Sequence, residues 1–366
     1  MCKFIFIISN IHLPRCTNRV KEFHQRGYDV EVYYFDRTIF NNKVSTLDVP
    51  MHSLGELDAG SGSYFKRMPK QYSIIKNVVK KHKKEDVVFY LFGFDMALIF
   101  HYCFSKKPYI FEESDLRHTY FPKQLKTILE IVDKSIIKRS LMTVFTSEGF
   151  CNYHFGNKKP DNIVFIPNRL SPEIKNVQLL PHKEFNKDKI SIGFVGSPRF
   201  KAVYNFVKVF CTNFPNYEMH FMGEPLLDGI EELRGKFENA FFHGSFTSPQ
   251  DLPSIYSSID LVLSTYDAEV ENVRFAEPNK IYESMFFDVP IIVSKNTFLA
   301  SKVERLGIGY AINAADDKEI VSFVNSITED SLNERINNIK KIDKNTLISI
   351  NDGFYKKLEF ALNNIK

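Results

Sequence analysis

The chain has 366 residues, 44% hydrophobic and 25% charged, with a formal net charge of +4. These are values of an ordinary globular protein with room for two domains, and they exclude disordered, collagen-like and coiled-coil chains. Its five cysteines, Cys2, Cys16, Cys103, Cys151 and Cys211, are widely spaced and form no C-x-x-C, which argues against a cysteine zinc site or a disulfide scaffold and fits a reducing, cytoplasmic compartment.

In chain order, Lys3 to Ser9 reads as a first strand, too short for a signal-peptide core. A loop with Pro14 follows, then a helix over Asn18–Arg26 stopped by Gly27, then an alternating strand over Tyr28–Phe35. A strand–helix–strand opening points to a parallel sheet. The apolar stretch from Val87 to Phe104 is interrupted by Gly93, Asp95 and His101, so it reads as two buried elements rather than a membrane span. Further strands are expected at Tyr109–Phe111, Leu141–Thr146 and Ile163–Ile166. The polar, lysine-rich stretch 173–189 reads as a linker.

After it the rhythm restarts. Strands are expected at Ile190–Val195, Tyr217–Met222, Leu261–Ser264 and Pro290–Ser294, with helices from Ala202, over Leu252–Ser258 and over Lys280–Phe287. The expected architecture is α/β, with two Rossmann-like lobes. The first spans 1–172, the second 190–350, and residues 351–366 form a final helix crossing back to the first. Ligands of open α/β sheets sit beyond the carboxyl ends of the strands, so a central cleft between the lobes is the expected site.

Charge divides unevenly. Residues 1–180 hold 27 Lys+Arg and 18 Asp+Glu, a net +9, whereas 181–366 hold a net −5. Much of the excess lies in Lys66, Arg67, Lys70, Lys76, Lys80, Lys81, Lys83 and Lys84. Two readings stay open: a solvated helix face, or contact with an anionic membrane or lipid-linked acceptor at ~1 kcal/mol per basic residue. No aromatic-basic module or zinc knuckle accompanies the charge, which speaks against nucleic acid.

The most informative segment is Glu277-Pro278-Asn279-Lys280-Ile281-Tyr282-Glu283, followed by Pro290-Ile291-Ile292-Val293-Ser294. Asn279 is placed to cap a helix whose amino end, with Lys280, attracts phosphate. Glu283 lies one turn on, where its carboxylate reaches ribose hydroxyls. The plain alternative is an ordinary i,i+3 Lys–Glu pair worth ~0.3 kcal/mol.

This segment resembles the donor-binding motif of bacterial GT-B glycosyltransferases of the family-four type, used in capsule and O-antigen synthesis. Similar too are Asn18-Arg19-Val20, Gly27-Tyr28-Asp29-Val30, Tyr109 to Leu116, Ile166-Pro167-Asn168 and Leu252 to Leu261. The chain departs from the family pattern at three places: Phe275 replaces the first glutamate, Arg169 follows Pro167-Asn168 where glycine is usual, and Asn10–Arg15 stand in for a glycine pair.

The resemblance implies transfer of a hexose-type sugar from a nucleotide-sugar donor to a saccharide or lipid-linked acceptor. It implies retention, no cofactor, no metal, and a cytoplasmic enzyme peripheral to the inner membrane face. Phosphate contact falls to Gly196, Ser197, Arg199, Lys201, Asn279 and Lys280, and ribose to Glu283. Asn272, Arg274 and Glu277 are candidates for donor sugar or base. Asp115 and Glu112 would orient or deprotonate the acceptor hydroxyl, and Arg15 and Arg19 would meet an acceptor diphosphate. Lys66, Arg67 and Lys70 complete the acceptor and membrane set. Rival readings are a non-hydrolysing nucleotide-sugar epimerase and a non-catalytic nucleotide-sugar or glycan-binding protein.

Overall fold

The computed structural model describes residues 2–36, 46–57, 64–104, 106–227 and 229–364. The chain divides into two compact units, Met1–Ile166 with Asp352–Lys366, and Pro167–Asn351.

The first unit holds β1 (Lys3–Ile8), α1 (Pro14–Gln25), β2 (Asp29–Asp36), β3 (Met51–Glu56), α2 (Tyr64–Lys81), β4 (Val87–Phe92) and α3 (Phe94–Phe104). Then come β5 (Tyr109–Glu113), α4 (Lys123–Arg139), β6 (Met142–Phe145), α5 (Glu148–Phe155) and β7 (Ile163–Phe165). The strands form one sheet in the order β3-β2-β1-β4-β5-β6-β7, every pair parallel. β1 and β4 are almost continuously apolar because helices cover both faces of the sheet; Phe4 to Ile8 and Val87 to Phe92 are all buried.

Two local details differ from the expected pattern. α1 begins at Pro14 rather than Asn18, since proline suits the first helical position, where the missing N–H has no intrahelical role. β3 lies at the sheet edge with only partial burial, so it carries no strong apolar alternation to read. The apolar stretch divides at Gly93, whose φ of +86° turns β4 into α3. Among the described residues no helix is long and apolar enough to cross a membrane.

The second unit holds β8 (Ser191–Val195), α6 (Lys201–Asn213), β9 (Glu218–Met222), β10 (Ala240–Phe242), α7 (Leu252–Ser257) and β11 (Leu261–Ser264). It continues with α8 (Glu271–Phe275), α9 (Lys280–Phe286), β12 (Ile291–Ser294), α10 (Phe298–Leu306), β13 (Gly309–Ile312), α11 (Asp317–Asn325) and α12 (Glu329–Lys340). Its sheet is also parallel, in the order β10-β9-β8-β11-β12-β13. One face is filled by Phe194, Val203, Phe206, Phe210 and Leu263, the other by Val195, Tyr256, Val262, Ile281, Met285 and Val293. Ile174, within the lysine-rich stretch, is buried in that second cluster. The last helix, α13 (Asp352–Asn363), groups with the first unit, where Phe354, Tyr355 and Leu358 join the core of Phe4, Phe6 and Phe23.

In each sheet the chain reverses direction of growth beside its first strand, between β1 and β4 and between β8 and β11. Loops at such a point diverge and leave a crevice at the carboxyl ends of the strands.

Candidate functional site

In the second unit the floor of that crevice is glycine. Gly196, Gly223 and Gly244 follow β8, β9 and β10 and all have positive φ. Gly196 N donates to Met222 O at 2.7 Å, and Gly223 N to Gly244 O at 2.7 Å. A Cβ at Gly223 would lie 2.4 Å from the Gly196 carbonyl oxygen, so only glycine permits this approach.

Lys280 lies against this floor. A Cβ on Gly196 would meet its Nζ at 3.4 Å, and the same ammonium sits 4.7 Å above the Phe194 ring, a favourable cation–π geometry. Lys280 is buried and makes no ion pair among the described residues. A buried ammonium without a carboxylate is costly, which makes it a ready partner for an anion.

One turn along α9, Glu283 is buried. Its Oε2 accepts from the Tyr256 hydroxyl at 2.8 Å and its Oε1 from Asn279 Nδ2 at 2.8 Å. Burial pushes the carboxyl up, while Tyr256, Lys280 and Asn279 oppose that shift. Each carboxylate oxygen has two lone pairs, so both retain accepting capacity. Asn279 does not cap α9 as expected from the sequence. Its own φ of −60° and ψ of −26° are helical, which sends the amide along the helix to Glu283 instead.

The other donor candidates divide. Arg199 and Lys201 are exposed where α6 begins. The first amides of α6 are taken by Asp267, whose carboxylate accepts from Lys201 N at 3.3 Å and Ala202 N at 2.8 Å. Ser197 donates its hydroxyl to the Pro225 carbonyl. Asn272 is buried, whereas Arg274 is exposed with its Nε on the Ala268 carbonyl at 3.2 Å. Glu277 does not stand free to replace the glutamate missing at Phe275: it is buried, bonded to the Tyr282 hydroxyl and paired with Lys302 Nζ at 2.9 Å. Tyr256 lies in the family-like segment Leu252 to Leu261, but its bond to Glu283 was not read from the sequence; Asp267 was not read at all and carries only the weak signal of an acid just after a strand.

In the first unit Glu112 is fully buried. Arg15 Nε lies 3.3 Å from its Oε1, Arg19 Nε 3.3 Å from its Oε2, and the Tyr90 hydroxyl donates to Oε2 at 2.5 Å. Burial and the neighbouring carboxylate raise the Tyr90 phenol well above its usual range, so it stays a donor. Arg19 also pairs with Glu22 at 2.8 Å. Enclosed between two guanidinium groups, with its Oε1 ion-paired but not hydrogen-bonded, Glu112 is not placed to deprotonate an acceptor, and Arg19 is not placed to meet a diphosphate; both hold α1 against the sheet. Arg15 keeps partial exposure. Asp115 is exposed just past β5.

On α2 the buried positions Arg67, Gln71, Ile75 and Val78 make one stripe. Arg67 thus belongs to the covered face, not to the basic surface. Lys70, Lys76 and Lys80 are exposed on the helix, and Lys83 and Lys84 just beyond it. The Lys66 side chain lies outside the described residues.

No family model matches the chain, and no curated protein matches it. Solved structures do. A sucrose-phosphate synthase from Thermosynechococcus elongatus aligns over 98% of this chain and 100% of its own, with 14% identity and a TM-score of 0.71. Anabaena HepE in complex with UDP and glucose gives 14% identity and a TM-score of 0.69, again over 98% of this chain and 100% of the other. The lipopolysaccharide outer core galactosyltransferase WaaB gives 14% and 0.64, with both chains fully covered.

The fold is GT-B.

At such identities the likeness is one of fold alone. The GT-B arrangement nevertheless accounts for two parallel sheets in one chain, each with its own direction reversal.

Proposed function

We propose that this GT-B chain transfers a sugar from a nucleotide-sugar donor to a saccharide or lipid-linked saccharide. The observation that carries the reading is the buried, unpaired Lys280 ammonium resting on Gly196 at the carboxyl end of β8. As the glycosidic bond breaks, charge develops on the diphosphate, and a fixed cation in a partly dry site stabilises it. Arg199 and Lys201 add mobile positive charge at the edge. Glu283, with both oxygens still able to accept, takes the ribose hydroxyls. Gly196 and Ser197 line the phosphate approach, and Asn272 and Arg274 face the sugar or base. No metal is required, because lysine and arginine supply the countercharge.

HepE, one of the structures similar to this chain, was solved with UDP-glucose, which supports a nucleotide-sugar donor of the hexose type. Retention, a role in surface polysaccharide synthesis and a peripheral position on the cytoplasmic membrane face complete the proposal; exposed Lys70 and its neighbours on α2 support the last. Asp115 is the acceptor-side carboxylate left exposed past β5.

One observation favours a second reading, a nucleotide-sugar-binding protein without turnover: Phe275 occupies the place of the first glutamate, and Glu277 is held by Lys302. A panel of UDP-, GDP- and CMP-sugars tested by thermal shift separates the possibilities. A matching donor at a hundred times its Kd stabilises by about 2.7 kcal/mol. Stabilisation with sugar transfer to an added acceptor supports the transferase, stabilisation without transfer supports the binding protein, and no stabilisation by any donor overturns both.

A further inference from the structure

The first unit contains a second cluster of chemistry-bearing side chains that glycosyl transfer does not use. Glu113 ends β5, His118 lies in the turn beyond it, Asp133 is in the middle of α4, and His154 is near the end of α5. All four side chains are completely covered. His118 Nδ1 lies 3.1 Å from Asp133 Oδ2, His154 Nε2 lies 3.0 Å from Glu113 Oε1, and His154 Nε2 lies 3.9 Å from Asp133 Oδ2. One nitrogen or oxygen from each residue lies within 4.8 Å of the corresponding atom of every other.

The charge of this cluster is unusual. Two carboxylates meet here, and no lysine or arginine pairs with either among the described residues. The second oxygen of each, Glu113 Oε2 and Asp133 Oδ1, has no hydrogen-bond partner. Two buried, mutually repelling carboxylates without a cation are strongly unfavourable. A single divalent ion would neutralise both, and two neutral imidazoles would complete its coordination.

We propose that Glu113, His118, Asp133 and His154 bind a structural zinc-class divalent ion. Zinc takes imidazole nitrogen and carboxylate oxygen at roughly 2.0–2.2 Å, which sets tetrahedron edges of about 3.4 Å. Three of the six separations, 3.0, 3.1 and 3.9 Å, bracket that edge, and all six lie within 4.8 Å, so the side chains need only close by a small amount. Four protein ligands and no exposure leave no open position for water or substrate, so the site is structural rather than catalytic. The set of two imidazole nitrogens and two carboxylate oxygens favours zinc, cobalt or nickel over magnesium or calcium, which prefer all-oxygen sites. The ion would tie α4 and α5 to the end of β5, fixing the loop that carries Asp115. The inference is independent of donor binding, which involves the other unit.

The test is the metal content of the full chain purified from zinc-supplemented cells, measured by plasma mass spectrometry. About one zinc per chain is expected. A strong chelator should lower the melting temperature and added zinc should restore it. Cobalt reconstitution should give the intense visible absorption of a tetrahedral nitrogen–oxygen site. His118→Ala and His154→Ala should each reduce bound zinc by about tenfold or more, while Lys70→Ala retains it. Wild-type protein with only trace amounts of every first-row metal, and a melting temperature indifferent to chelator and zinc, would overturn the proposal without recourse to any variant. The four groups would then form a proton-sharing network.

Discussion

The two units carry comparable charged groups near the carboxyl ends of their strands, and treat them in opposite ways. In the first, Glu112 is surrounded by Arg15, Arg19 and Tyr90, with a guanidinium nitrogen 3.3 Å from each oxygen and no surface exposed. In the second, Lys280 is almost as buried but rests on a glycine and a phenyl ring, with Glu283 acting on it through space and no ion pair among the described residues. Burial alone therefore does not mark a functional residue. In the proposal, what separates anchor from site is whether an ion pair is already made within the protein.

That contrast is broken most forcefully at Glu112. Glu112→Ala leaves the buried Arg19 guanidinium, and the partly exposed Arg15, without this carboxylate, and removal of one partner of a buried pair costs about 3–5 kcal/mol; urea unfolding reads the loss directly. If stability is unchanged, the cluster is not an anchor. Lys280→Ala should do the reverse. It should weaken donor binding roughly 10- to 150-fold, the value of a hydrogen bond to a charged group, while the unfolding midpoint holds or rises; calorimetric titration of UDP or the matching nucleotide decides. Glu283→Gln keeps the contacts to Tyr256 and Asn279 in shape but removes the negative charge, so a smaller loss of affinity is expected, about tenfold.

The contrast sharpens with pH. Burial would raise the Glu31 carboxyl, but hydrogen bonds from Lys3, Lys81 and Tyr33 prevail and hold it far below the usual carboxylate range. A depressed carboxyl contributes stability that is fully present above its unfolded value and lost as pH falls through the folded one. Stability should thus decline below about pH 4.5, and Glu31→Gln should flatten that decline in melting curves taken at successive pH values. An unaltered acid limb would show that other carboxylates set it. At the surface, replacing Lys70 alone by glutamine should weaken binding to anionic vesicles by ~1 kcal/mol, the smallest of these effects, and unchanged sedimentation after Lys70, Lys76 and Lys80 are all replaced would remove the membrane from the proposal.

Much of this was legible in the sequence because strands buried on both faces announce themselves, as Phe4–Ile8 and Val87–Phe92 do. The closeness of Lys280 and Glu283 was legible because they share one short helix; their roles belong to the proposal. What was hidden depends on distance or on backbone detail. The orientation of Asn279 follows from a helical φ and ψ that residue type does not reveal. Glu112 looked available because its partners Arg15 and Arg19 lie nearly a hundred positions upstream. The union of Glu113 with His118, Asp133 and His154 needs the sheet and two helices in place before four ordinary residues become neighbours.

The return of α13 has a consequence for synthesis. Phe354, Tyr355 and Leu358 complete a core begun by Phe4 and Phe23, so the first unit cannot close until the ribosome has passed Leu358. During elongation the second unit, contiguous from Pro167 to Asn351, can fold while its predecessor still waits with an aromatic face uncovered, exposed to chaperones and proteases. Loss of α13 would therefore damage the unit whose sheet is translated ahead of Pro167–Asn351.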